Sequence, residues 1–265
     1  MSIPFSEGDA ILFKTLETTI DGAIGTIILD RPERLNALSL ELAEDLISAA
    51  AWFDKQSAVR VVVVRGNGRA FCAGADLQGF PQPGEDGIRE AADTGRRMAD
   101  AIEDMRAITI AQVHGWCVGG GLVLAANCDL RVAADSTRFS IPEIDLGIPL
   151  AWGGIPRLVR EIGPALTKEL VITCREFGAE EALSAGFLNR SVSEQDLAAT
   201  VAELASSVAS KPAIPIFATK RHTNAVTRQM LGTDRAWSDA DSLVAALYDP
   251  ECAASREAYL KSRLG

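Results

Sequence analysis

The chain has 265 residues, 48% of them hydrophobic, and a formal net charge of -10 at pH 7. That length and apolar content suffice for a full core, as one large domain or one domain with an appendage. The acidic balance disfavours nucleic acid and anionic membrane surfaces, which select a basic face, and no stretch reaches membrane-span length.

Residues 1–9 carry Glu7 and Asp9 without the apolar run of a signal or transit peptide. Residues 23–29 and 61–64, rich in Ile and Val, predict short buried strands. Between them, apolar residues recur at three and four over residues 40–53, which predicts a helix. Ser39 stands where a helix cap is needed, with Glu41 and Glu44 just behind it. Residues 78–87, holding Phe80, Pro81, Pro83 and Gly84, predict a mobile surface loop. A helix over about 94–106, a strand over 109–113, a glycine-led helix from Gly119 and a strand over 130–133 follow. This alternation predicts an α/β fold with buried, largely parallel strands. From Ser193 to Leu264 almost everything reads helical, with Pro212, Pro215 and Pro250 near helix starts. The expected division is therefore 1–192 and 193–265.

Five cysteines (Cys72, Cys117, Cys128, Cys174, Cys252) are odd in number and far apart, which points to reduced thiols and a cytoplasmic setting. No Gly-x-Ser-x-Gly nucleophile elbow occurs. No phosphate-cradling Gly-x-x-x-x-Gly-Lys-Ser/Thr run occurs either. Gly66 and Gly68 lack the third glycine of a dinucleotide fingerprint. Two histidines, His114 and His222, are too few for a histidine-rich metal site, so no metal is expected. Carboxylates and backbone groups remain as the chemical tools.

Two glycine-rich loops stand out. Residues 66–77 follow a predicted strand and bring small residues to a place where a ligand can approach the main chain; a plain tight turn would read the same. His114 to Leu122 holds Gly119, Gly120 and Gly121 at the start of an apolar helix, whose free N–H groups suit an oxyanion. Consecutive glycines cost a helix up to ~1 kcal/mol each relative to alanine, which asks for a compensating need such as close backbone approach.

At these residues the chain resembles the crotonase, or enoyl-CoA hydratase/isomerase, family, over nearly its whole length. Arg31-Pro32-Glu33-Arg34-Leu35-Asn36-Ala37-Leu38 resembles the family's early CoA-contacting segment, and residues 71–77 and 114–121 its two oxyanion loops. Phe139-Ser140-Ile141-Pro142-Glu143, Leu146-Gly147-Ile148-Pro149 and the Ala-rich segment 179–186 complete the signature. The resemblance implies a spiral of strand-strand-helix turns and a helical C-terminal region serving oligomerisation and active-site cover. It also implies trimers or dimers of trimers, and an acyl-CoA thioester as substrate with no cofactor beyond the coenzyme A it carries. The backbone N–H groups of Ala75 and Gly120 are implied to receive the thioester oxygen while it becomes an enolate.

Further substrate contacts carried over are Arg34, Leu35, Ala37, Ala73, Asp76, Leu77, Gly119, Val123 and Trp152. Lys220 and Lys261 are candidates for the coenzyme A phosphates, with exposed helix lysines as the alternative. Gln78 stands where hydratase relatives often carry a phosphate-binding lysine.

Family hydratases carry one Glu just after the triple glycine and a second after the Pro of Phe-x-x-Pro-Glu. Here the first position is Val123 and the second is Glu143. One carboxylate suits allylic isomerisation, hydration is the alternative, and a noncatalytic acyl-CoA-binding protein is a rival of another class; Glu143 as a surface or ion-paired turn residue is the bland alternative. Asp145 would point away from Glu143 if the segment is extended. Asp76 reads as a loop-fixing acceptor, Asp129 as structural, His114 as a packed strand-end residue and His222 as part of a solvated face. Trp152 reads either as core or as a restriction on the acyl group.

Overall fold

A computed structural model describes residues 13–76, 84–234 and 236–264. The expectations placed on residues 1–9, on Leu77 and Gln78, and on the first part of the 78–87 loop lie outside these residues. In chain order the strands are β1 (Leu16–Asp21), β2 (Ile24–Leu29), β3 (Val61–Gly66), β4 (Ile108–Val113), β5 (Trp116–Val118), β6 (Leu130–Ala134), β7 (Arg138–Ser140), β8 (Phe177–Gly178) and β9 (Arg190–Val192). The helices are α1 (Leu40–Asp54), α2 (Ile88–Asp104), α3 (Gly120–Ala126), α4 (Gly154–Thr173), α5 (Ala179–Ser184), α6 (Glu194–Ala209), α7 (Ala213–Met230), α8 (Asp239–Tyr248) and α9 (Pro250–Leu264).

A six-stranded sheet runs in the order β1-β2-β3-β4-β6-β9, and β5-β7-β8 form a second, smaller sheet. From β2 to β9 the large sheet is parallel, with Val62 opposite Gly25 and Thr109. Parallel strands need cover on both faces, and β3 shows how it is met. Val62 and Val64 join the core with Leu42, Leu46 and Phe53 of α1 and Met98 and Ile102 of α2. Val61 and Val63 face Leu197, Val201 and Ala205 of α6 on the other side. The expected boundary at residue 193 therefore marks where strands give way to helices, while α6 still closes the sheet's second face.

Ser39 caps α1, its side chain accepting from the Leu42 N–H at 3.1 Å. α2 begins at Ile88, several residues before the expected start near Thr94, because Gly87 at φ 78° turns the chain into it. β1 escaped sequence reading: it is a polar edge strand, buried only at Leu16, that pairs antiparallel with β2. β5, β7, β8 and β9 have two or three residues each, too few to show periodicity.

Candidate active site

The early Arg-Pro segment builds the first loop. Leu35 and Asn36 take positive φ, 50° and 55°, folding 31–38 back on itself. The Ala73 N–H then donates to Leu35 O at 2.9 Å, Leu38 N–H to Gly74 O at 2.7 Å and Asp76 N–H to Leu38 O at 2.9 Å. Asn36 is fully buried and is the pin of this arrangement. It accepts from the Arg31 N–H at 3.0 Å and donates to the carbonyls of Asn67 and Ala70 at 2.9 and 2.8 Å. Arg31 donates to Ala37 O and pairs with Asp76 at 2.8 Å, so the acceptor expected of Asp76 serves a guanidinium.

The second loop lies beside the first because Cys72 N–H donates to Trp116 O at 3.1 Å and Val118 N–H to Cys72 O at 3.0 Å. Each of the three glycines meets a different neighbour. A Cβ on Gly119, which has φ 49°, would collide with Glu143 Oε1, and one on Gly120 with the Trp152 ring. One on Gly121 would stand 2.6 Å from Cys72 O. The poor helix propensity is thus traded for close approach of a carboxylate, an indole and the first loop. Gly74, at φ 95°, would place a Cβ 3.7 Å from the Gly120 nitrogen, so the two loops converge at this point. Among the described residues neither Ala75 nor Gly120 N–H finds a backbone acceptor. Two such donors, one in the first loop and one at the start of α3, are what a developing oxyanion requires.

Glu143 is buried, and among the described residues its Oε2 has no hydrogen-bond partner and its carboxyl no ion pair. It is not surface-exposed. Burial pushes its carboxyl up to about 7, against a smaller lowering by its own backbone N–H. Val123 is fully buried and packs toward Gly154 of α4, an apolar contact in place of a second carboxylate. A cavity of about 290 Å³ opens in front of Glu143, bounded by Arg34, Ala75, Gly119 and Ile148, and by Tyr259 and Leu260 of α9. Ala37, Ala73 and Asp76 line it as well. Leu35 is half-buried at the turn that holds Ala73.

Several residues lie elsewhere. Lys220 is not an exposed lysine and does not line this cavity. Its ammonium is buried, donating to Ala107 O at 2.9 Å and pairing with Asp129 at 2.7 Å, which pins α7 to the sheet. Two of its three donors are committed within the chain and it lies away from the cavity, which corrects the expectation for it. Lys261 is exposed on α9 and pairs with Glu257 at 2.6 Å. Asp129 also accepts from the Thr109 N–H at 2.7 Å, a structural role. Asp145 is exposed in a turn, so the condition of an extended segment attached to it is not met. His114 contacts Gly68 O through Nε2 at 2.9 Å, and His222 is exposed on α7.

Sequence reading singled out neither Asn36, Arg157 nor Tyr259. Arg157 is fully buried on α4, donating to Glu103 at 2.6 Å and Asp100 at 2.8 Å on α2 and to the Trp152 and Gly153 carbonyls at 3.2 and 3.3 Å. The available signals were Asn36 beside an Arg-Pro turn and an arginine inside an apolar helix pattern.

This convergence defines a class of site: two backbone N–H groups from separate loops brought together beside a buried carboxyl group. The comparisons agree. The family model described as enoyl-CoA hydratase/isomerase matches residues 19–263. A mevalonyl-coenzyme A hydratase from Aspergillus fumigatus is 36% identical over 69% of this chain and 67% of its own length. A peroxisomal Delta(3,5)-Delta(2,4)-dienoyl-CoA isomerase from Arabidopsis thaliana is 32% identical over 78% of this chain and 81% of its own. The crystal structure of an enoyl-CoA hydratase from Bacillus anthracis, 28% identical, superposes with a TM-score of 0.77, covering 94% of this chain and 97% of that one. The chain belongs to the enoyl-CoA hydratase/isomerase family of the crotonase superfamily and is an acyl-CoA enzyme of that family.

Proposed function

We propose that the chain is an enoyl-CoA isomerase that moves a 3,4 double bond into conjugation with the thioester, using Glu143 as its one proton-transfer group. The observation that carries this reading is the buried carboxyl of Glu143, its Oε2 unpartnered among the described residues, with an apolar Val123 where a second carboxylate would be needed. Glu143 takes a proton from the α-carbon, and the electron pair moves toward the thioester oxygen, where the Ala75 and Gly120 N–H groups stabilise the charge. The same carboxyl then returns the proton at the γ-carbon, leaving the double bond between the α- and β-carbons. Losing one such backbone donor costs roughly 100- to 1000-fold in rate.

Hydration also needs a water held and deprotonated while a proton reaches the α-carbon, work that two carboxylates share and a valine cannot do. The test is incubation with a 3-enoyl-CoA and, separately, a short 2-enoyl-CoA. Conversion of the first to the conjugated isomer with little hydration of the second is expected; robust hydration would sink the reading. Hydration is the second reading, favoured by the hydratase names that predominate among the relatives. Tight binding of CoA esters without turnover, unchanged in Glu143→Gln, would instead mark a noncatalytic binding protein.

In this reading Arg34, Leu35, Ala37 and Lys261 contact the coenzyme A portion, Ala73 and Asp76 border the thioester, and no cofactor is needed beyond coenzyme A. A cytoplasmic setting belongs to it too, supported by five free cysteines; no helix among the described residues is long and apolar enough to cross a membrane. Assembly as trimers or dimers of trimers is supported by α7, which buries only Lys220 within the chain while exposing Ile214, Val226 and Met230.

A further inference from the structure

We propose that Trp152 is the end wall of the acyl pocket and restricts the enzyme to short acyl chains. The inference rests on the reading of the Gly119–Gly120 turn as the thioester-oxygen site and adds to it the class of acyl group. Glu143 lies over Gly119 and the indole over Gly120, so the carboxylate and the ring occupy adjacent places on one turn. An acyl group whose oxygen is held by the Gly120 N–H starts beside both.

The ring is held between two helices. Its six-membered part is against Gly120 of α3, and its five-membered part is against Gly95 of α2, where a Cβ would collide with it. Glycine in the middle of a helix is unfavourable, and α2 carries one where the indole passes. The space between α2 and α3 next to the Gly120 N–H is therefore filled by an aromatic side chain.

Two features separate Trp152 from an ordinary packing residue. Its backbone lies in the left-handed region at φ 62°, which bulky residues rarely adopt. Its Nε1–H is buried with no acceptor among the described residues. A leucine or phenylalanine would fill space without that orphan donor. The strained turn is nonetheless held firmly: Arg157 binds both its carbonyls, and Asp239 of α8 accepts from the Gly153 N–H at 2.8 Å. Strain that persists under such restraint belongs to a position where shape is used.

The test is titration calorimetry of butanoyl-, hexanoyl- and decanoyl-CoA against the full chain, Trp152→Phe and Trp152→Ala, with folding checked by circular dichroism. The wild-type protein should bind butanoyl-CoA at least about tenfold more tightly than decanoyl-CoA, a discrimination within reach of a closed apolar pocket. Trp152→Phe, which keeps an aromatic wall, should keep that order. Trp152→Ala should gain roughly tenfold to a hundredfold for decanoyl-CoA and lose the preference. If Trp152→Ala does not fold, Trp152→Leu, which keeps apolar contact between α2 and α3, is read in the same way. A wild-type length order that survives in the folded small-residue variant overturns the wall and leaves the proposed function standing. A wild-type protein that binds none of the three esters overturns both.

Discussion

At the scale of single residues, Glu143 is the group whose environment makes the sharpest demands. A general base is useful only when ionised, and burial places this carboxyl at about 7. The kcat/KM for a 3-enoyl-CoA should therefore rise with pH through about 7, and a rate flat between pH 5 and 9 would exclude Glu143 as the base. Glu143→Gln should lose roughly 100- to 10,000-fold in rate while still binding the ester. The same burial acts on stability. Because the folded-state value is raised, the stability this group contributes is fully present below the ordinary carboxylate value and is lost as pH rises through about 7. Glu143→Gln should thus gain on the wild type by up to about 3 kcal/mol between pH 4 and pH 8, measured by urea unfolding. An identical difference at both pH values would contradict the assignment.

At the scale of elements, the junction of α2, α4 and α8 deserves a test because the turn bearing Trp152 hangs from it. Burial alone would push the Glu103 carboxyl up, but the Arg157 and Arg160 guanidiniums outweigh it and hold Glu103 below its usual range. Removing one partner of a buried pair leaves an uncompensated charge, so Arg157→Ala should cost about 3–5 kcal/mol of stability. Thermal or urea unfolding reads this directly. Where the variant still folds, the freed Trp152–Gly153 turn should raise KM and lower kcat together. Loss of stability with unchanged kinetics would confine Arg157 to the scaffold. The elements legible in sequence were the long ones with clear periodicity: α1, β2, β3 and β4 lie within a residue or two of their expected places. α2 was read short because its first turn is polar and follows the proline-containing loop. The small β5-β7-β8 sheet, which carries the second glycine loop, has strands too brief for any pattern.

At the scale of the whole molecule, α7 has little to pack against in one chain. An 18-residue helix that buries a single lysine and exposes Ile214 at 83% and Met230 at 74% has an apolar surface awaiting cover. In sedimentation the protein should run at three or six times the 28.2 kDa of one chain. Charged replacements Ile214→Lys and Met230→Lys together should move it toward that single-chain mass, since unpaired charges at an apolar contact are costly. A wild-type protein of single-chain mass would remove the trimer from the proposed function.

The sequence by itself determined the family, the alternation of strands and helices, the two glycine loops and the substitution of Val123 beside a retained Glu143. All of these reside in local composition and spacing, where periodicity and turn chemistry act. Only the tertiary structure decided what each glycine was for, because close approach involves residues far apart in the chain: Gly119 makes room for Glu143, Gly120 and Gly95 for Trp152, and Gly121 for Cys72. It also decided between readings that the sequence left open. Lys220 pairs with Asp129 because α7 packs against β4, and the Glu143 carboxyl is raised to about 7 because burial strips it of water. Burial and charge pairing are properties of the packed chain, and no local pattern encodes them.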